Sequence, residues 1–227
     1  MKLFKTAAVC FVLLLLAANI SAQRTEVTVE QEYLSTVEDV IIKELAVAED
    51  RDSKLVSLQY LETALDSGRT SPDMHEALDL LAGEGVFSQA RTNGRLANNY
   101  PDIRAKACDL LGKLKTEEAK DTLLKVTLAD NEPMVATSAI RALGDIGMNN
   151  DSNEVVEAIA WAQKKYAVLN PTSSMALEIL VAYEKLAPSV KDTSSMIQSI
   201  SAIATNYNYV TPVRTKALDL LKKLTGR

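Results

Sequence analysis

Two stretches of this chain, beginning at Ile103 and Val213, carry nearly the same twelve residues. Ile103-Arg-Ala-Lys-Ala-Cys-Asp-Leu-Leu-Gly-Lys-Leu114 and Val213-Arg-Thr-Lys-Ala-Leu-Asp-Leu-Leu-Lys-Lys-Leu224 agree at eight positions: Arg, Lys, Ala, Asp, Leu, Leu, Lys and Leu. Two weaker copies lie between them, Val135-Ala-Thr-Ser-Ala-Ile-Arg-Ala-Leu-Gly-Asp-Ile146 and the run from Thr172 through Ala176-Leu-Glu-Ile-Leu180. The aligned small residues Ala107, Ala139, Ala176 and Ala217 are spaced by 32, 37 and 41. A fifth copy, Lys54-Leu-Val-Ser-Leu-Gln-Tyr-Leu61, is marginal. A unit this short cannot bury an apolar face alone, so copies must stack and share one core.

Each copy opens on a proline: Pro101, Pro133, Pro171 and Pro212. At or next to the first helical position its missing N–H costs nothing. Asn170 and Thr211 precede two of these prolines as expected N-caps. Second helices are expected at roughly 117 to 129, 153 to 168 and 192 to 205, where apolar residues recur every three or four positions. Leu123 with Val126, and Val155, Val156, Ile159 with Tyr166, show that spacing. The unit is therefore helix, turn, helix. A small aligned residue lets paired helices approach closely. Cys108 aligns with Ile140, Leu177 and Leu218, which makes all four expected core positions.

Proline, then Val/Ile-Arg, then Ala, then Leu-Leu or Leu-Gly closely resembles HEAT repeats. Ala142-Leu-Gly-Asp-Ile-Gly147 is similar to the bacterial HEAT-like subgroup named after phycobilisome lyases. The pattern departs at the 133 copy, where Ala136 stands in place of Arg, and at the 171 copy, where Ser173 does. The resemblance implies an all-α fold, a right-handed α-solenoid (an armadillo-like superhelix), with first helices convex and second helices concave. It implies no particular activity.

The expected organisation is a signal peptide at 1–22, an N-terminal capping helix at 23–52 and a repeat solenoid at 53–227. Copies are placed near 53–98, 99–130, 131–168, 169–206 and 207–227. Thr28 and Gln31 have capping-box spacing at the start of the capping helix. Residues 83 to 99 are expected to form a long loop or a broken helix. The last copy shows a first helix only.

Lys2 and Lys5, the apolar run from Ala7 to Ala18, and Ile20-Ser21-Ala22 have the form of a cleavable export signal. The alternative is an uncleaved anchor, for which the run is short of the ~20 residues a spanning helix needs. Cleavage would leave 23 basic and 30 acidic residues, a net charge of −7. Without a basic stripe, nucleic acid is an unsuitable partner. One cysteine would remain, so no internal disulfide is expected. The expected compartment is periplasmic or secreted, and in a eukaryotic host Asn150-Asp-Ser152 would be a glycosylation acceptor.

No residue pattern carries catalytic chemistry, so a non-enzymatic role without cofactor or metal is expected. His75 is the only histidine and is read as a solvated surface residue among Asp73 and Glu76. Glu117-Glu118 and Asp151 with Glu154 sit at helix starts, where the dipole accounts for them. On a helical projection Trp161 falls opposite Val155, Val156, Ile159 and Tyr166, sharing its side with Glu157, Lys164 and Lys165. It is either a binding anchor or a packing residue against the next repeat. Tyr207 and Tyr209 are a second surface candidate.

Residues 23 to 52 hold nine acids and three bases, whereas residues 207 to 227 hold five bases and one acid. Such ends permit head-to-tail self-association. The expected function is a protein-binding scaffold or adaptor acting through the concave surface. The alternatives are an enzyme accessory resembling lyase-type repeat proteins and a self-associating envelope component.

Overall fold

The computed structural model of the chain describes residues 28–147 and 153–226. The expected signal peptide, and the acceptor Asn150-Asp-Ser152, lie outside the described residues. The chain divides into two compact units, residues 1–38 and 39–227.

The described part of the first unit is the opening of helix α1 (Val29–Val47). The Thr28 N–H donates to Gln31 Oε1 at 3.1 Å, and the Gln31 N–H donates to Thr28 Oγ1 at 3.2 Å. This is the reciprocal capping box that the spacing predicts.

The second unit begins within α1 and continues through α2 (Arg51–Asp66), α3 (Pro72–Ala82), a hairpin of β1 (Arg91–Thr92) and β2 (Arg95–Leu96), α4 (Pro101–Leu114), α5 (Glu117–Ala129), α6 (Pro133–Ile146), α7 (Glu154–Leu169), α8 (Ser173–Leu186), α9 (Ser194–Thr205) and α10 (Thr211–Thr225). First helices α2, α4, α6, α8 and α10 pack in series on one another, as do second helices α3, α5, α7 and α9. The fold is an all-α solenoid of helix-turn-helix repeats.

Small residues set the spacing of the first helices. Ala107, Ala139, Ala176 and Ala217 are all buried. A Cβ placed on Gly112 would lie 3.0 Å from Ala142 Cα, and one on Gly144 would lie 2.8 Å from Ala182 Cα. At these two crossings the backbones themselves touch, which explains the Leu-Gly pairs in the copies.

Charge then locks neighbouring first helices along their outer edges. Lys113 reaches Asp66 at 2.7 Å, Arg141 spans Asp109 and Glu178 at 3.1 Å each, and Lys216 reaches Glu184 at 3.0 Å. Lys106 pairs with Glu62, and Lys223 with Glu184. The lysines identical between the two clearest copies, Lys106/Lys216 and Lys113/Lys223, thus bind acids on the preceding first helix.

Three expectations are corrected. Asn170 does not cap α8: α7 runs to Leu169, and the Asn170 N–H closes it by donating to Tyr166 O at 3.0 Å. Thr211 is the first residue of α10 rather than its cap, because the Val210 carbonyl already accepts the Arg214 N–H at 3.3 Å. Cys108 and Ile140 are buried, but Leu177 and Leu218 are 39% and 50% exposed. An aligned position is covered only where a neighbouring helix lies directly over it, which holds at Cys108 and Ile140 and not at Leu177 or Leu218, although α10 follows α8 in the series. The stretch expected as loop or broken helix contains the β1–β2 hairpin, turned by Asn93 and Gly94 at positive φ.

Candidate functional site

The junction between the 101 and 133 copies is organised by one arginine. Arg104, in the Ile-Arg pair that opens α4, is 1% exposed. Its Nε donates to Asp130 Oδ2 at 2.6 Å, and its other nitrogens reach Asp130 Oδ1 at 3.3 Å, Glu84 O at 3.1 Å and Asn99 Oδ1 at 3.0 Å. Asp130 follows α5 directly, and its Oδ1 also accepts the Glu132 N–H at 2.8 Å, shaping the turn into α6. Such a buried pair is tolerable because nearly every donor and lone pair is used.

The same turn reaches the next repeat. The Asp130 carbonyl accepts Lys165 Nζ at 2.7 Å and the Tyr166 hydroxyl at 3.1 Å, both from α7. Burial lowers the Lys165 pKa, and burial with the nearby Asp130 charge pushes Tyr166 up to about 12. Tethered there, the Lys165 ammonium lies 5.0 Å from the centre of the Trp161 ring, within cation–π range. Arg104, Asp130 and Lys165 therefore form a continuous line that ends on Trp161.

Trp161 sits 44% exposed on the outer side of α7, while Val155, Val156, Ile159 and Tyr166 are buried beneath it. This is the division the helical projection predicts. Its ring borders a groove of about 510 Å³ between neighbouring second helices, lined by Leu124 and Leu128 of α5 and by Glu154, Glu157 and Ala158 of α7. The Trp161 ring thus shares the groove with residues of the adjacent repeat and stays open to solvent. Glu157 and Lys164 are exposed along the same stripe, and Lys165 is half-buried at its end.

The second candidate pair separates. Tyr207 is exposed, with the Arg214 guanidinium 4.9 Å from its ring centre. Tyr209 is only 5% exposed and belongs to the core, so the two rings do not form one surface. The turn between α9 and α10 folds inward at Tyr209, whose N–H donates to Asn206 O at 3.2 Å.

His75 differs from its expected solvated setting. It is half-buried, with Nδ1 3.3 Å from Asp79 Oδ2 one turn on, and burial raises the Asp79 pKa. Cys108 is fully buried, and burial drives its thiol pKa far above the ordinary value. Glu117 and Glu118 occupy the first turn of α5, while Asp151 lies outside the described residues. No group of three or more His, Cys, Asp or Glu side chains among the described residues is placed to hold a metal ion. In the lyase-like motif, Leu143 and Gly144 are buried in the helix crossing and Gly147 ends α6 at φ 70°, so those three residues have structural tasks.

Two features were not foreseen from the sequence. One is the Arg104–Asp130 junction; its signal was a lone arginine inside an apolar pattern and an aspartate just after a second helix. The other is a buried cluster beneath the hairpin. Glu84 binds Lys54 Nζ at 3.0 Å and Asn98 Nδ2 at 2.7 Å, and Asn98 also holds Ser88 O and the Ala90 N–H at 2.8 and 2.9 Å. It fixes the segment from which Arg91 and Arg95 project.

The sequence pattern of the family described as HEAT repeats matches residues 90–171. The match spans α4 to α7, which includes the Gly112–Ala142 crossing, the Arg104–Asp130 junction and the Trp161 groove. No curated protein matches the chain. Among the described residues, no helix is long and apolar enough to cross a membrane.

Proposed function

We propose that this chain is a non-catalytic scaffold that binds a partner protein on the surface of its second helices, with the Trp161 groove as the anchor point. The observation that carries this reading is the half-exposed indole bordering a partly apolar groove, with a lysine that is itself tied to the core 5.0 Å from its ring centre. Binding anchors are commonly Trp residues in such pre-organised pockets. HEAT repeats commonly serve as interaction scaffolds, and the ion pairs linking successive first helices engage the charges of the opposite face.

The groove chemistry defines the kind of partner. Leu124, Leu128 and Ala158 favour an apolar side chain, and Glu154 and Glu157 on the rim favour a basic residue beside it. A protein segment with an apolar anchor next to Lys or Arg fits both. The apolar run with flanking lysines at the N-terminus supports export, which would place this activity in the periplasm or outside the cell.

Site-specific photo-crosslinking tests the reading, with the reactive group at Glu157 or, as a control, at the exposed first-helix residue Met134. The expected result is a discrete adduct with another protein from position 157 only, lost when Trp161→Ala is added. Equal adducts from both positions, or none from 157, would overturn it.

A further inference from the structure

The two ends of the described repeat stack both expose apolar residues and carry opposite charge. Terminal repeats of a solenoid need a polar outer face to stay separate. The part of α1 in the second unit, residues 39–47, covers the first repeat with one side only. Ile42 and Ala46 are buried, the Ile42 carbonyl accepts Ser57 Oγ at 2.9 Å, and the Ala46 carbonyl accepts Lys54 Nζ at 2.8 Å. The opposite side of the same helix exposes Val40, Ile41 and Val47, interrupted by Glu44, with Glu49 just beyond its end. A helix that only caps would carry polar residues there.

The other end shows the complementary surface. Helix α6, inside the stack, buries nine of its 14 residues, whereas α10 buries three of its 15. Leu218 lies exposed where Cys108 and Ile140 are covered, and Val210 and Tyr207, in the turn before α10, are exposed as well. Lys216 and Lys223 both pair with Glu184 on α8. Lys222 and Arg214 remain on the outer side with a single acid, Asp219, which lies 3.9 Å from Lys222.

The geometry points to a second copy of this chain as the occupant of each end: the outer face of α1 in one molecule covers the outer face of α10 in the next. Apolar residues meet apolar residues, and Glu44 and Glu49 meet Lys222 and Arg214, so burial supplies the affinity and charge the orientation. A pairing of α1 with α1 would set acid against acid, and α10 with α10 base against base. The contact is therefore heterologous, the kind that extends into a chain of subunits unless it closes. An anionic lipid surface is a poorer occupant of the α1 face, because the face is acidic. This inference is independent of the second-helix groove, which stays open along the assembled stack.

Sedimentation velocity on the purified protein tests it, with two variants at exposed positions, Val40→Lys on α1 and Leu218→Glu on α10. The native protein should sediment faster with rising concentration, and the dissociation constant should rise about tenfold on going from low to high salt, as the loss of one or two exposed ion pairs implies. Each variant alone should be a monomer with unchanged helicity by circular dichroism. Mixed together, they should form a dimer and nothing larger, since each retains one of the two faces. A native protein that is monomeric throughout would overturn the proposal. So would a Leu218→Glu protein that still dimerises alone, which would mean α1 pairs with α1, or a Val40→Lys protein that does so, which would mean α10 pairs with α10. Failure of photo-crosslinking at Glu157 would leave this result untouched.

Discussion

Arg104 and Asp130 face each other across the α4–α5 pair with Nε and Oδ2 2.6 Å apart, and both side chains are closed to solvent. The pair joins three repeats, because Arg104 also holds the carbonyl of Glu84 behind it and Asp130 offers its own carbonyl to Lys165 ahead.

Removing one member leaves an uncompensated buried charge. Arg104→Ala is expected to cost ~3–5 kcal/mol, a large share of the ~5–15 kcal/mol by which a domain is stable. Urea denaturation should show it as a lower midpoint. The double variant Arg104→Met with Asp130→Asn should lose about 1–3 kcal/mol less than the two single losses added together. Strict additivity would mean the two residues act separately.

The crossing of α6 and α8 should reject even one carbon. A Cβ on Gly144 would meet Ala182 Cα at 2.8 Å, and both belong to helix backbones that cannot step aside separately. Helix propensity alone favours Ala over Gly by ~1 kcal/mol, while overpacking costs ~1–3 kcal/mol. Gly144→Ala is thus expected to be destabilising by up to about 2 kcal/mol, lowering the thermal midpoint by several degrees. A stabilised variant would show that the helices can separate at no cost.

The lysine over the indole should matter locally. Lys165→Met removes the ammonium 5.0 Å from the ring centre of Trp161, an interaction worth ~0.5–1 kcal/mol at a partly exposed site. Since Trp161 is the only tryptophan, acrylamide quenching of its fluorescence reads the groove directly. Quenching is expected to increase in the variant while helicity stays the same.

Stability should decline in alkali. Burial raises the pKa of Cys108 and Tyr183, and raises that of Tyr166 to about 12. In the unfolded chain these groups lose their protons near ~8.5 for cysteine and ~10 for tyrosine. Above those values the unfolded state binds fewer protons than the native one, so stability falls as pH rises. Their contribution is fully present below about pH 8 and is lost progressively from about pH 9 upward. Denaturation midpoints should be level between about pH 6 and 8 and drop beyond 9, with Cys108→Ala removing the earliest part of the drop.

The outline of the fold was legible because its information is local and repeated. Ala107, Ala139, Ala176 and Ala217 mark the same place in four first helices, and all four are buried. Trp161 was legible too, since the 3.6-residue period places it opposite Val155, Val156 and Ile159. Tyr209 was not. Its neighbour Tyr207 has the same chemistry and is exposed, and only the path of the α9–α10 turn separates them.

By itself the sequence determined the helix-turn-helix unit, its stacking, and the outward side of α7, because periodicity and aligned small residues act within one or two turns of chain. Only the tertiary structure decided that Cys108 and Ile140 are covered while Leu177 and Leu218 are open, and that Asp130 lies buried against Arg104. The covering of an aligned position depends on what a neighbouring repeat brings alongside, some 30 to 40 residues away along the chain, and the Arg104–Asp130 pair closes between two helices over a separation of 26 residues. Burial of an aligned position is a property of the stack, and no single copy encodes it.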